Sequence, residues 1–209
     1  MKILIFGASG KTGHELVKQA LELGYRVTAF VRKPAKLNIS NSNLVKFEGN
    51  IVNYELVERA VKGQDAVLSA LGASNPFLYD PVVVEGMGNI ITAMEKLGVD
   101  RLIYMSAINV RASRKNAGII IRALAPLLLR TETEGHEARE KFVRHSLLTW
   151  TIVRSASLSN GEHKQQYRFG VNIKTSGMAA RISRADVADF MLTQLHDKTF
   201  HRKAPMVMY

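Results

Sequence analysis

The residues Gly7-Ala8-Ser9-Gly10-Lys11-Thr12-Gly13 constrain this chain more than any others, because they join the apolar run Ile3–Phe6 directly to an amphipathic stretch beginning at Lys11. A glycine turn between a strand and a helix has a defined division of labour. One glycine permits the tight turn, one lets the backbone approach a pyrophosphate, and one lets helix and strand pack closely. The first N–H groups of the helix lack intrahelical partners and face outward as anion donors. The turn therefore predicts a phosphate site made of Gly7, Ser9, Gly10, Lys11, Thr12 and Gly13. A purely geometric role for the glycines would leave those donors unpaired.

Beyond the turn, short β-branched runs alternate with amphipathic stretches, the pattern of a parallel sheet wrapped by crossover helices. Strands are predicted at Lys2–Phe6, Arg26–Val31, Leu44–Glu48, Asp65–Ala70, Arg101–Met105 and Thr149–Val153. Helices are predicted near Lys11–Leu23, Tyr54–Val61, Val82–Leu97, Glu132–His145 and Arg184–Leu195, with left-handed caps at Gly24 and Gly98. Pro205–Tyr209 reads as a last strand and tail that packs. The expected class is α/β, a Rossmann fold with a doubly wound parallel sheet and helices on both faces. At 209 residues the chain suits one domain over 1–209, since a single core stops growing only beyond about 250 to 300 residues. The alternation lapses from Arg111 to Arg130, where the apolar segment Ala117–Leu129 reads as a buried helix or packed loop, or else as a flap lining a substrate pocket.

The end of the second strand selects between dinucleotides. An acid there would bind an NAD ribose and repel a 2′-phosphate. None is present; the strand runs into Arg32, Lys33 and, close behind, Lys36, which can surround that phosphate. NADP(H) is therefore expected over NAD(H), the alternative being a solvated basic loop.

A net charge of +11 raises nucleic acid or an acidic membrane as partners, but the charges are dispersed. The densest cluster, Arg111, Arg114 and Lys115, has no interleaved aromatics, which argues against nucleic acid. The apolar segment is too short to span a bilayer. Zero cysteines exclude disulfides, thiolate catalysis and cysteine-ligated metals, and fit a cytoplasmic location. No cleavable leader is visible ahead of Gly7. His163, His196 and His201 have no convincing ligand spacing, so no metal is expected.

The GxxGxxG spacing, together with Gly24-Tyr25-Arg26-Val27-Thr28, Gly63-Gln64-Asp65-Ala66-Val67, Glu85-Gly86 with Asn89-Ile90, and Gly98-Val99-Asp100, resembles the atypical short-chain dehydrogenase/reductases. Within that group the chain is similar to the biliverdin-IXβ reductase/flavin reductase family and its NmrA-like relatives, from Lys2 to about Leu195. The resemblance implies Asn50 and Ile51 beside the adenine, Leu71-Gly72 passing the cofactor's middle, and Met105 and Ser106 facing the nicotinamide. It implies Ser155 and Ala156 closing over the nicotinamide side, followed by Ser157 and Leu158 toward substrate. Residues 107–135 and 154–180 would form the substrate side. Relatives usually carry proline after the arginine that here is Arg154, and aspartate where Asn50 stands.

Carbonyl-reducing members use a Tyr four residues before a Lys, the cation lowering the phenol's pKa. Tyr54, Tyr79, Tyr104 and Tyr167 are followed instead by Glu58, Val83, Ile108 and Val171, and the helix expected to carry the pair reads His136-Glu137-Ala138-Arg139-Glu140-Lys141. Reduction of a flavin or quinone survives this loss, because water can protonate a delocalised acceptor. Ser106 is the candidate hydrogen-bond donor, and His136 the candidate proton donor, titrating near neutrality or else merely packing. The leading expectation is an NADPH-dependent oxidoreductase delivering hydride to a small planar acceptor. A non-enzymatic, NmrA-like NADP(H) sensor with a protein partner, and an epimerase or dehydratase, are the alternatives.

Overall fold

The computed structural model describes residues 1–72, 79–108, 130–174 and 180–209. The first strand, β1 (Lys2–Phe6), has Ile3, Leu4, Ile5 and Phe6 wholly buried, so both of its faces are covered and it lies inside the sheet. After it come α1 (Lys11–Glu22), β2 (Arg26–Val31), a 3-10 turn at Pro34–Lys36, β3 (Leu44–Glu48), α2 (Tyr54–Val61), β4 (Ala66–Ser69) and α3 (Pro81–Leu97). The chain continues through β5 (Arg101–Ala107), α4 (Arg130–His145), β6 (Thr149–Ser155), β7 (Ser157–Ser159), β8 (Arg168–Gly170), β9 (Arg181–Ser183), α5 (Arg184–Thr193) and β10 (Met206–Met208). Gly24 and Gly98 sit at φ 78° and 69°, as left-handed caps require.

One sheet has the order β3-β2-β1-β4-β5-β6-β10-β8, parallel throughout except that β8 runs antiparallel to β10. Strand order reverses between β1 and β4, the signature of a doubly wound Rossmann fold. Alternate strand residues face opposite helical layers. Ile3, Ile5, Leu68, Ile103 and Val153 pack on Leu16 and Val17 of α1 and Val187 and Met191 of α5. Leu4, Phe6, Val67, Leu102, Tyr104 and Ile152 pack on Val57 of α2, Met87, Ile90 and Met94 of α3, and Val143 of α4. Each such side chain contributes about 1.5–3 kcal/mol by leaving water.

Several boundaries differ from the sequence expectation. β4 starts at Ala66, not Asp65, whose carboxylate accepts the backbone N–H of Lys2 at 2.6 Å, and it ends one residue before Ala70. β5 and β6 each run two residues further, because pairing continues through Ser106↔Arg154 and Ala107↔Ser155. α3 opens at Pro81, a favoured first-turn residue, α4 opens at Arg130, and α5 ends at Thr193. The strands β7, β8 and β9, three residues each, were not expected. Segments 109–129 and 175–179 lie outside the described residues, and with them Ala117–Leu129 and part of the expected substrate side.

α4 is tied to β6 by a buried ion pair. Arg154 Nε and Nη2 donate to Glu140 Oε1 and Oε2 at 3.0 and 2.7 Å, with Arg154 6% and Glu140 4% exposed. Losing Arg154 leaves the buried Glu140 carboxylate to the more exposed Arg144 on its own helix, whose Nη2 donates to Oε2 at 3.2 Å, so most of its desolvation goes uncompensated. Arg154→Ala is expected to lower the unfolding free energy by about 3–5 kcal/mol in urea titrations, and the double substitution Glu140→Met/Arg154→Met to recover most of that loss.

Candidate functional site

The glycine turn lies at the reversal point between β1 and β4. Gly7 has φ 75°, and a methyl on it would sit 2.7 Å from the carbonyl carbon and oxygen of Ala70, just past β4. A methyl on Gly13 would sit 2.0 Å from the Gly7 carbonyl oxygen. The turn is held by Gly10 N–H donating to Gly7 O at 2.9 Å, and α1 begins with His14 N–H donating to Gly10 O at 2.8 Å. α1 has no side-chain cap and no acid in its first turn. Among the described residues, the N–H groups of Lys11, Thr12 and Gly13 have no acceptor. Uncapped donors at the positive end of a helix, behind a turn where only glycine fits, suit a dinucleotide's pyrophosphate.

At the end of β2, Arg32, Lys33 and Lys36 are all exposed, and among the described residues none of them forms an ion pair. Next to them, after β3, Asn50 is exposed and its Oδ1 accepts the Val52 N–H at 3.4 Å. Ile51 points inward, 7% exposed, against Gly86 of α3, while its carbonyl accepts Asn89 Nδ2 at 2.9 Å. That edge thus offers a polar Asn50 above an apolar floor.

The strand ends β4, β5 and β6 make the other half of the edge. Three strand spacings separate β2 from β5, about 14 Å. Tyr104 and Ser106, two residues apart on β5, share a face and meet His136 from α4. Ser106 Oγ lies 3.3 Å and Tyr104 Oη 3.5 Å from His136 Nδ1. Tyr104 is wholly buried and Ser106 1% exposed. Arg139, one helical turn past Gly135, donates through Nε to the Gly135 carbonyl at 3.0 Å and through Nη1 to the Leu71 carbonyl at 3.4 Å.

Burial, with the Arg139 charge adding to it, pushes His136 down to about 3. Of the two readings of His136, a proton donor near neutrality or a packing residue, these surroundings favour packing, because they favour the uncharged ring. Burial pushes Tyr104 up to about 12, so it stays a neutral donor. Tyr104, set aside in the sequence for want of a lysine four residues on, was not among the expected site residues; its position two residues before Ser106 on a strand was the signal that could have found it. Ser155 donates its hydroxyl to the Ser106 carbonyl at 3.2 Å, which spends it on joining β5 to β6. Ala156 is buried in the core, and Met105 packs on the opposite face of β5 from Ser106. Gly72 and Ser157 are exposed, and Ser157 and Leu158 lie in β7, paired with β9. The structure thus gathers Ser106 and His136 at one end of the edge, and Arg32, Lys33 and Lys36 at the other, with the glycine turn between them.

A family model described as NAD(P)H-binding matches residues 7–198. The chain belongs to that NAD(P)H-binding family. Photosystem II assembly factor Ycf39 from Synechocystis is 28% identical over 166 residues, 77% of this chain and 46% of that protein. The chain spans about half the length of the first curated relatives it matches, 46% to 60% for the two leading ones. Two solved structures share the fold across almost the whole NAD(P)H-binding chain. A short-chain dehydrogenase/reductase from Veillonella parvula in complex with NADP has a TM-score of 0.79 at 22% identity, covering 99% of this chain and 93% of that one. The anaerobillin reductase ChuY from Escherichia coli O157:H7 has a TM-score of 0.78 at 20% identity, covering 99% and 96%. Among the described residues no helix is long and apolar enough to cross a membrane.

The His136 shift predicts a pH dependence. Its folded value lies below its unfolded value, so the unfolded chain binds the extra proton between about pH 6.5 and 3, and stability falls as pH drops through that window. From pH 7 to 5 the loss from this residue is about 2 kcal/mol. Urea titrations at both pH values should show a smaller pH-dependent loss in His136→Gln than in the wild-type protein.

Proposed function

We propose that this NAD(P)H-binding protein is an NADPH-dependent reductase that passes hydride to a planar acceptor of the flavin, quinone or linear-tetrapyrrole kind. The carrying observation is the pairing of an uncapped α1 with three exposed cations, Arg32, Lys33 and Lys36, that have no carboxylate among the described residues. The likeness to a structure holding NADP, and to an anaerobillin reductase, supports the cofactor and the acceptor class.

When bound, the reduced nicotinamide supplies two electrons as hydride to the acceptor, which takes its balancing proton from solvent. The α1 amides orient the pyrophosphate, while Arg32, Lys33 and Lys36 grip the 2′-phosphate. At the β5 end Ser106 and Tyr104 share His136 Nδ1, and in the tautomer where Tyr104 is the donor the Ser106 proton is free to turn toward the acceptor. Neutral donors suit this chemistry, since the electrons enter a ring system that spreads the charge. Orientation then supplies most of the rate.

A second reading is an NADP(H)-responsive regulator. His136 and Tyr104, the two titratable side chains that meet Ser106, are both held in their neutral forms and so leave no group that exchanges a proton near pH 7, and one relative is named an assembly factor. Steady-state assays with NADPH and riboflavin, FMN, quinones and bilins separate the two. Consumption of NADPH with at least one acceptor is expected, with kcat reduced about tenfold or more in Ser106→Ala. Arg32→Ser/Lys33→Ser should raise the Kd for NADPH about tenfold or more while leaving that for NADH near its wild-type value. NADPH binding without turnover of any acceptor would favour the regulator.

A further inference from the structure

A cleft of about 410 Å3 opens beside the first turn of α1. Gly10, Lys11 and His14 line one wall, and Asn160, Gly161 and Arg184 the other. Both walls are fixed. Gln19 of α1, 6% exposed, donates through Nε2 to the Ala185 carbonyl of α5 at 2.9 Å. The fully buried Asp186 carboxylate accepts the N–H groups of Lys164 and Gln165 at 2.9 Å each and the Tyr209 hydroxyl at 2.7 Å, which anchors the segment following Gly161.

The charges across this cleft are unbalanced. Arg184 Nη1 donates to Asn160 Oδ1 at 2.7 Å, a neutral acceptor, and among the described residues no carboxylate pairs with Arg184 or Lys11. Glu15, which also borders the cleft, pairs with neither cation among the described residues. The two helices differ. α5 has its own cap, Ser183 Oγ accepting the Asp186 N–H at 3.0 Å, and an acid in its first turn. α1 has neither. A held guanidinium therefore faces an uncapped, positive helix end across open space, which repels unless an anion lies between them.

We propose that Arg184, steered by Asn160, closes on the dinucleotide's pyrophosphate from the side opposite the α1 amides. The proposal rests on the cofactor reading above and adds a clamp from the far end of the chain. Because the pyrophosphate is common to both dinucleotides, Arg184 contributes to affinity without contributing to the choice between them. Arg32, Lys33 and Lys36 make that choice at the other end.

Calorimetric titration of the full chain with NADPH and NADH tests this in wild type, Arg184→Gln and Arg184→Lys, alongside ligand-free urea midpoints that report folding. Arg184→Gln is expected to raise both dissociation constants about tenfold or more, and to leave their ratio within about twofold of wild type. Arg184→Lys keeps the charge but loses the fork, and should fall between the two; it also serves if the glutamine variant misfolds. Unchanged constants in a folded variant would overturn the clamp, as would a loss confined to NADPH, which would put Arg184 on the 2′-phosphate. An unchanged dinucleotide Kd with a raised KM for FMN but not riboflavin would move Arg184 to the acceptor and also overturn it. If the wild-type protein binds neither dinucleotide, the clamp and the cofactor reading fail together; if only the Arg184 variants behave as wild type, the clamp fails alone.

Discussion

Only a hydrogen atom fits on Gly13 against the Gly7 carbonyl, where a methyl would come within 2.0 Å of the oxygen. That approach starts α1 directly over the end of β1 and aims its unpaired amides into the crevice where the strand order reverses. A bulkier residue would push the helix off the turn and take its free amides out of the crevice. The other site residues follow from the same geometry. Parallel strands finish at one edge of the sheet, so Arg32 after β2, Asn50 after β3, Leu71 after β4 and Ser106 at the end of β5 fall along one line.

The two halves of that line differ in chemistry. The half at β2 and β3 is solvated and cationic, suited to holding phosphate by charge. In the half at β5 and β6, Ser106 and Tyr104 are buried and His136 half-buried, and these surroundings favour the neutral forms of Tyr104 and His136, suited to orienting an acceptor. The Glu140–Arg154 pair braces the second half, since it locks α4 on β6 one helical turn beyond His136. A buried pair of this kind adds little net stability over an apolar replacement, but it fixes how one element sits against another.

Much of this was legible in the residues themselves. The long apolar strands and the glycine turn carry strong local signals, and the six strands and five helices expected from them are all present within a residue or two at most ends. The misses have physical causes. Three-residue strands such as β7 and β9 have too few positions to show an alternation. Tyr104 reads as one more apolar strand residue until the sheet turns it to the face of Ser106. Arg184 stands far from the glycine turn in sequence, and only the packing of α5 on α1, through Gln19 and Ala185, brings it to the cleft. The neutrality of His136 depends on burial, which a single histidine near a helix start does not disclose.

On the proposed reading, the first amides of α1 receive a dinucleotide's pyrophosphate. Backbone-amide NMR of the labelled protein, titrated with NADPH, addresses it directly. The largest and saturable shifts are expected at Ser9, Gly10, Lys11, Thr12 and Gly13, with smaller ones at Arg32 and Lys33. Saturable binding that leaves the amides of residues 9–13 unmoved, or no binding at millimolar ligand, would contradict it.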